Sequence, residues 1–416
     1  MLCPIIVKTF KEGYKLSYFK RDFFSGLTVA IVAIPLSIAF AIASGATPIV
    51  GIFTAIIGGI FVSLFGGSKY NISGPAGAFI GVIYGIIAHY GYNGLIISTF
   101  IAGLCIIIFS ILKLGKFIKH IPNCIIIGFS LGLGIDILSG QLADFLGLNT
   151  HGGENFIKKI SICLQHIDEV NFQSLTLGLL SIIIVFIIRK VKPKLPSFLI
   201  AIIINCIVAQ IFNFQIETIN SRFGTMHLTI PQIHKDIFEE IEHPLNLIQY
   251  IPSSISIAIL ASIEALLAAT IADKMTNSKH YPNTELFSLG IANCISAIFG
   301  CLPIAGTTAR TIVNAKSGAK SSLSGVFHGI FLIILMAIFA EIISCVNMPT
   351  IAGILFIVSI DMMSFKKIQT TIKSKDKIEI FMLFFTAICV ILFGIVMSII
   401  VNTILYQIII RFFNKI

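Results

Sequence analysis

Apolar runs about as long as a membrane-spanning helix recur along almost all of this 416-residue chain. A helix needs about 20 predominantly apolar residues to cross the hydrocarbon core of a bilayer. Hydrophobic residues make up 56% of the chain and charged residues 12%, a composition that excludes a soluble protein. Because lipid offers no hydrogen bonds to peptide groups, each run is predicted to be a helix. The long runs include Phe24–Ser44, Gly94–Leu112, Ser174–Ile188, Pro196–Phe214, Ser253–Ala272, Ser324–Ser344 and Glu379–Phe413, the last of which is long enough for two passes.

The Lys and Arg residues are distributed unequally among the loops. When the shorter apolar segments, among them Ala76–Tyr90 and the stretch around Thr307–Ala315, are also counted as crossings, the chain has fourteen predicted spans. Nearly all of the 29 Lys and Arg residues then lie in alternate loops on one side of the membrane, together with both termini. An excess of Lys and Arg marks cytoplasmic loops, so both termini are predicted to be cytoplasmic. The net charge of +10 could suggest binding to nucleic acid. The location of the basic residues instead indicates how the chain is oriented in the membrane, which we expect to be a bacterial inner membrane.

A long polar loop near the middle of the chain, residues 215–250, separates two halves of similar plan. After a cytoplasmic segment at residues 1–22, seven spans are predicted in residues 23–214 and seven more in residues 251–413. Two halves with an odd number of spans must enter the membrane with opposite orientation, which is the arrangement of an inverted repeat. The predicted fold class is an all-α polytopic membrane protein with fourteen transmembrane segments in a seven-plus-seven inverted repeat.

The third element of each half is short and follows an extended stretch that Gly and Pro interrupt. These stretches are Tyr70–Gly77 and Gly300–Gly306. Pro75 and Pro303 prevent a helical approach, so a half-helix is predicted to begin at mid-depth in each half. Half-helices that enter from opposite faces point their free amides and partial positive charges at each other, which attracts an anion. The alternative is that Gly and Pro merely kink two helices for packing, but their shared ordinal position in both halves argues against it.

Arg310 is predicted to lie at membrane depth, in the first turn of the second half-helix. A buried guanidinium is costly without a partner, and it offers bidentate donors to an oxyanion. We therefore interpret Arg310 as part of an anion site, to which Thr307 and Thr308 add hydroxyl donors. The alternatives are a structural ion pair of Arg310 with Glu264 or Asp136, and a simple capping role for the threonines.

Glu264 lies near the centre of an apolar run, far from either membrane surface. A lone carboxylate at this depth is a candidate site for a coupling proton. Sodium is the second candidate, although Ala268, one turn later, supplies no side-chain oxygen. The alternative is a carboxyl group that stays neutral in hydrogen bonds between helices. Asp136 lies in a glycine-rich helix and is interpreted as structural or interfacial.

The sequence holds no pattern typical of a metal site or of an enzyme. The nine cysteines lie mostly in apolar runs without metal-ligand spacing, and the nine histidines do not cluster. No nucleophile and base are placed together at membrane depth. We therefore predict no catalytic residue, no metal and no cofactor other than a coupling H⁺ or Na⁺.

Two blocks of sequence resemble the SulP family of anion permeases. The first, Ile34–Phe79, ends in SGPAGAF, and the second, Ile263–His328, contains PIAGTTARTIVNAKSGAKSS. The resemblance implies a core domain that moves against a gate domain, with an anion site between helices three and ten. In that family Glu264 would occupy the acidic position of the eighth helix that is linked to coupling. The implied substrate pocket consists of Phe40, Ala76, Gly77, Ala78, Phe79, Thr308, Ala309 and Arg310.

The chain departs from the family pattern at two places. Leu36 stands where many eukaryotic members have Gln, so one side-chain contact to the substrate is missing. About four residues follow Phe412, so the cytoplasmic STAS domain that usually follows the last helix is not expected. The regulation and dimer contacts attributed to that domain are therefore not carried over.

The residues and the resemblance together predict a secondary active transporter of a small anion that works by alternating access. Sulfate and bicarbonate are the first candidate substrates. The predicted partners are the anion, the lipid bilayer and a second copy of the chain in a homodimer. The alternatives are a nucleobase permease of similar fold, a passive anion channel and a non-transporting membrane sensor. Arg310 argues against the nucleobase permease, whose substrate is an uncharged ring.

Overall fold

The computed structural model describes residues 3–116, 122–148, 156–193, 195–226, 233–234, 247–374, 376–393 and 395–413. Half of the predicted external loop at residues 215–250, including Asp236, Glu239, Glu240 and Glu242, lies outside these ranges. The elements of the first half are α1 (Ile5–Lys11), α2 (Leu16–Ala43), α3 (Pro48–Ile57), β1 (Ser73–Gly74), α4 (Ile80–Ile111), α5 (Asn123–Gly140), α6 (Leu142–Leu146), α7 (Phe156–Gln165), α8 (Phe172–Val191), α9 (Ser197–Ile211) and α10 (Ile219–Phe223). Those of the second half are α11 (Ile251–Thr276), α12 (Pro282–Ile298), β2 (Ala305–Gly306), α13 (Thr308–Lys316), α14 (Leu323–Ser344), α15 (Met348–Met362), α16 (Phe365–Lys373), α17 (Lys377–Phe393) and α18 (Ile395–Phe413).

Eight helical segments within the described ranges are long and apolar enough to cross a membrane. They are Leu16–Ala43, Pro48–Phe65, Gly77–Ile111, Asn123–Gly140, Phe172–Val191, Ile248–Thr276, Leu323–Ser344 and Met348–Lys373. The predicted all-α membrane fold is therefore confirmed. The count of fourteen spans stays a prediction.

Two of the helices deviate from regular α-helical geometry close to the broken stretch of the first half. α3 continues through a π-helical turn, Gly58–Val62, before it ends. α4 begins with a 3₁₀ turn at Gly77–Phe79 and is interrupted at Gly91, where φ is 71° and ψ is −178°. Since only glycine adopts this conformation readily, α4 consists of two helices joined at Gly91. The first of them ends where the sequence predicted the end of the short third element, near Tyr90.

The chain folds into two compact units, and each unit contains segments of both predicted halves. The first unit comprises Met1–Ile118 and Thr218–Val346, and the second comprises Lys119–Glu217 and Asn347–Ile416. The units therefore do not coincide with the sequence halves. The division into two inverted repeats stays a prediction.

The second unit is built around α5, which packs against α17, and α15, which packs against α8. Lys159 Nζ lies 2.7 Å from Asp136 Oδ1, and Arg189 Nη1 lies 2.8 Å from Asp361 Oδ2. The ion pair with Lys159 agrees with the interpretation of Asp136 as a structural residue.

The first unit brings α2 against α14, and α4 against α11 and α12. Gly26 permits the close approach of α2 to α14. A Cβ atom at this position would lie 2.6 Å from Phe327 Cβ and 2.6 Å from the carbonyl oxygen of Ser324. Contacts between small residues and a neighbouring backbone are a main source of helix association in membranes.

We expect Gly26→Val to lower the thermal unfolding midpoint of the detergent-solubilised protein by several degrees. The added methyl groups overlap α14, and overpacking of a tight contact costs about 1–3 kcal/mol. Gly85→Val in α4 is the matched control, because a Cβ there has no atom within 4 Å. Equal midpoints for the two variants would contradict the close packing of α2 on α14.

Candidate functional site

The two Gly/Pro-broken stretches meet in a short antiparallel sheet inside the first unit. Ser73 pairs with Gly306, and Gly74 pairs with Ala305. The chain enters a helix a few residues after each strand, α4 after β1 and α13 after β2. The prediction that these segments lie together is therefore confirmed.

The extended stretch before β2 is held by side chains from neighbouring helices. Asn293 Oδ1 accepts a hydrogen bond from the amide of Ile304 at 2.9 Å, and its Nδ2 donates to the carbonyl of the same residue at 3.0 Å. Thr54 Oγ1 accepts from the amide of Leu302 at 3.0 Å, and Ser296 Oγ donates to the carbonyl of Leu302 at 2.6 Å. Non-helical backbone at membrane depth needs such partners, since lipid supplies none.

A second network of buried side chains holds the stretch before β1. Thr311 Oγ1 accepts from the amide of Ile72 at 3.1 Å and donates to Asn71 Oδ1 at 3.0 Å. Asn71 Nδ2 donates to Glu285 Oε1 at 2.5 Å, and Glu285 Oε2 accepts from the amide of Gly67 at 2.7 Å. Sequence reasoning missed these partners. The only signal for this network in the sequence was that Asn71, Glu285 and Thr311 are polar residues within or beside apolar runs.

Thr307 joins the two stretches directly. Its amide and its hydroxyl both donate to the carbonyl oxygen of Ile72, at 3.0 and 2.9 Å. The hydroxyl proton that the sequence assigned to an anion is thus used inside the protein. The next two residues remain accessible, since Thr308 is half-buried and Ala309 is exposed at the start of α13.

Arg310 lies almost fully buried beneath β1, with 1% of its surface exposed. Its Nη2 donates to Ser37 Oγ of α2 at 2.9 Å. Nη1 lies against Gly74, in the space that a Cβ atom there would need. Nε and Nη1 have no hydrogen-bond partner within the described chain. An ion pair of Arg310 with Glu264, the structural alternative considered for this residue, does not form among the described residues.

The predicted pocket residues of the first half lie in the same unit and are buried. Ala76 and Phe40 keep 7% of their surface exposed, and Ala78 and Phe79 keep 1% or less. Gly77 begins the 3₁₀ turn that leads into α4. The amide of Phe79 donates to the carbonyl of Ala76 at 3.1 Å, and that of Ile80 donates to the carbonyl of Gly77. The amides of Gly77 and Ala78 at the start of this turn, like the first amides of α13, have no acceptor within their own helix.

Glu264 is half-buried in α11, and α11 packs directly against β2. A Cβ atom on Gly306 would lie 2.5 Å from the Cα of Ala265, the residue after Glu264. No side-chain hydrogen bond of Glu264 is formed within the described residues. The carboxylate is therefore carried by a helix that touches the paired strands.

The arrangement combines two helix starts, one buried guanidinium and one half-buried carboxylate. The helix starts and the guanidinium contribute positive potential, which suits an anion. Within the described ranges, three or more His, Cys, Asp or Glu side chains do not come together in a way that could hold a metal ion.

Comparison with known proteins agrees with this geometry. The chain matches the sulfate permease family over residues 19–386. The putative sulfate transporter YvdB of Bacillus subtilis (strain 168) is 37% identical over 390 residues, which are 93% of this chain and 73% of YvdB. The bicarbonate transporter BicA of Picosynechococcus sp. is 33% identical over 354 residues, which are 82% of this chain and 61% of BicA.

Solved structures give the same result for the fold. The transmembrane domain of a cyanobacterium bicarbonate transporter BicA superposes with a TM-score of 0.80 at 28% identity, covering 94% of this chain and 97% of that one. SLC26A9 superposes with a TM-score of 0.83 at 15% identity, covering 98% of this chain and 67% of that one, and supports the fold alone.

The resemblance drawn from the two sequence blocks is confirmed by the family match, which spans both of them. The prediction of a transporter rather than an enzyme is confirmed as well, because the similar proteins are named transporters. The chain belongs to the sulfate permease family.

Proposed function

We propose that this chain is a secondary transporter that carries a small oxyanion, sulfate or bicarbonate, across the cell membrane. The observation that carries the proposal is the antiparallel pairing of β1 with β2, which brings the starts of α4 and α13 to one place. Backbone amides at helix starts bind anions without help from a cation, and Arg310 adds a full positive charge beside them. The names of YvdB and BicA, a putative sulfate and a bicarbonate transporter, support the same two substrates.

In the proposed bound state the anion lies at the start of the two helices. Its oxygens accept hydrogen bonds from amides at Ala76–Ala78 and at Thr308–Arg310, while Phe79 packs beside them. Thr308 and Ala309 contact it directly, because they are the accessible residues of that turn. Phe40 limits the pocket from α2. Arg310 acts mainly through its charge, since its guanidinium is buried and bound to Ser37.

We further propose that transport proceeds by alternating access and is coupled to a cation. Alternating access exposes one site to each side of the membrane in turn, which suits a site built from half-helices at mid-depth. We assign the binding of the coupling cation to Glu264, because a carboxylate without a partner at this depth can take up H⁺ or Na⁺. A homodimer is proposed as the assembly. A nucleobase permease is not favoured, since the family match and the buried Arg310 both point to anions.

Purified protein in proteoliposomes should accumulate labelled sulfate or bicarbonate above its external concentration when an inward gradient of H⁺ or Na⁺ is imposed. Secondary transport converts the ion gradient into uphill uptake, whereas a channel only equilibrates the anion. Competition by a panel of unlabelled anions identifies the preferred substrate. Flux that never exceeds equilibration under either gradient would contradict the transporter and favour the passive channel.

Arg310→Met should weaken anion binding by about tenfold or more, because a charge-assisted interaction contributes about 1.5–3 kcal/mol. Methionine fills most of the buried volume without leaving a charge in the protein. The measurement is the anion dissociation constant of the purified protein, with the unfolding midpoint as a check on folding. Arg189→Gln, which removes a cation from the second unit, is the matched control. A folded Arg310→Met protein with unchanged affinity would exclude this role.

Glu264→Gln should make the rate of anion uptake independent of pH. If Glu264 must be protonated before the loaded site moves, wild-type uptake rises as pH falls, and glutamine mimics the protonated state at every pH. Initial rates between about pH 5.5 and 8.5 test this. Glu341→Gln, a change of an exposed carboxylate on α14, is the control. A full pH response in Glu264→Gln would remove the residue from the coupling mechanism.

A further inference from the structure

The N-terminal segment, residues 5–21, packs one face of its first helix on the protein and leaves the other face open. Ile5 of α1 is buried, whereas Val7 and Phe10 keep 39% and 52% of their surfaces exposed. Residues three and four positions apart lie on the same face of a helix, so Val7, Phe10 and Lys11 share the open face. Two exposed apolar side chains and a lysine thus lie together on α1.

The inner face of α1 is bound to two loops of the first unit. The amide of Ile5 donates to the carbonyl of Gly66 at 2.9 Å, and Lys8 Nζ lies 3.7 Å from the centre of the Tyr281 ring. The two loops are joined to each other, since the amide of Tyr281 donates to the carbonyl of Gly67 at 3.0 Å. The open face of α1 therefore has a fixed direction relative to the helices of this unit.

The turn from α1 into α2 is held in place as well. Tyr14 Oη donates to Asp22 Oδ2 at 2.7 Å, and the centres of the Tyr14 and Phe10 rings lie 5.2 Å apart. Asp22 is fully buried and also accepts from the amides of Lys320 and Ser321, at 2.6 and 3.0 Å. The N-terminal segment therefore runs from α1 into α2 as one connected arrangement.

α2 is longer than the hydrocarbon core of a bilayer requires. Its 28 residues extend over about 42 Å, whereas the hydrocarbon core is about 30 Å thick. The long apolar run begins only at Phe24, so the first turns of α2 are placed at the level of the lipid headgroups. Leu16, Lys20 and Phe24 are four residues apart and form one exposed stripe. The stripe connects the start of α2 with its lipid-facing side.

The charges of the N-terminal segment indicate which partner this surface fits. It contains one acidic residue and five basic ones, which are Glu12 and Lys8, Lys11, Lys15, Lys20 and Arg21. Glu12 lies 3.6 Å from Lys69 Nζ, and four of the five basic side chains are exposed. Exposed basic residues beside apolar ones suit the boundary between acyl chains and anionic headgroups. Because the surface continues into the lipid-facing side of α2, lipid is favoured over a second protein.

We propose that the N-terminal segment is a binding surface for anionic phospholipids. Val7, Phe10 and Leu16 lie in the outer part of the acyl-chain layer, and Lys11 and Lys15 bind the headgroup phosphates. A basic segment next to a membrane-spanning helix is attracted by anionic headgroups, and its apolar side chains strengthen the attachment. The inference does not rest on the proposed function, because it concerns the lipid and not the transported anion.

The chain contains no tryptophan, so a single introduced tryptophan reports on its own surroundings. Leu16→Trp and Phe10→Trp proteins are reconstituted in equal mixtures of phosphatidylcholine and phosphatidylglycerol, in which one lipid or the other carries bromine on its acyl chains. Bromine quenches tryptophan fluorescence only at close range. Brominated phosphatidylglycerol should quench both variants at least about twofold more strongly than brominated phosphatidylcholine, because the basic residues enrich the anionic lipid there.

Phe339→Trp is the control for the lipid mixture. Phe339 is exposed on α14, a helix without Lys or Arg, so both brominated lipids should quench this variant equally.

The preference should depend on the two lysines. Lys11→Gln combined with Lys15→Gln in the Leu16→Trp protein should bring the ratio of the two quenching values close to one. Salt at about 0.5 M should lower the ratio in the parent protein, because it screens exposed charges. Lys366→Gln combined with Lys367→Gln removes the same charge from α16 and should leave the ratio unchanged.

Equal quenching of Leu16→Trp and Phe10→Trp by the two brominated lipids would overturn the proposal, since the surface would then have no preference for anionic lipid. Tryptophan that neither lipid quenches would overturn it too, because the surface would lie in water or under another protein. A ratio that survives the loss of both lysines would show that they do not bind the headgroups. None of these measurements involves transport, so their failure would leave the proposed function untouched.

Discussion

The site depends on the pairing of two extended segments where the chain would ordinarily have to be helical. Ser73 and Gly74 pair with Gly306 and Ala305, so each strand supplies hydrogen-bond partners for backbone groups of the other. Two strands of two residues satisfy few groups by themselves. The remaining backbone groups are bound by side chains such as Asn293, which accepts from the amide of Ile304 and donates to its carbonyl. Under the proposed function these partners allow a helix to begin within the membrane, so that its free amides are available to a substrate.

The same constraint explains why the surroundings of the strands consist of glycine and small side chains. Gly58 borders Ser73, Gly74 borders Arg310, and Gly306 borders Ala265, each at a distance that a methyl group could not occupy. The close approach has an electrostatic consequence. It allows a guanidinium to lie directly beneath the strands, where the low dielectric constant increases its effect on a nearby anion. Packing and binding therefore cannot be changed independently at these positions.

The sequence predicted the parts of the site that have local signals. Pro75 and Pro303, each in a glycine-containing stretch, predicted that the helical path is broken there. The charge distribution among the loops required a short third element, which ends at Gly91. The partners of these segments had no such signal. Arg310 binds Ser37, 273 positions earlier, and Asn71 binds Glu285 across 214 positions. The sequence also did not show which segments form each compact unit, because each unit is assembled from both halves of the chain.

A site of this construction recognises charge and size more than chemical identity. Backbone amides are the same in every relative, and they bind any small oxyanion that fits between the helix starts. This accounts for a family in which one relative is named for sulfate and another for bicarbonate. Discrimination must then come from the few side chains that reach the pocket. In the proposed pocket those are Thr308, which offers a hydroxyl, and Ala309, which offers a methyl group. Sulfate and bicarbonate differ in charge and in the presence of a donor, so under the proposed function selectivity depends on the accessible Thr308 hydroxyl and on the charge of the buried Arg310.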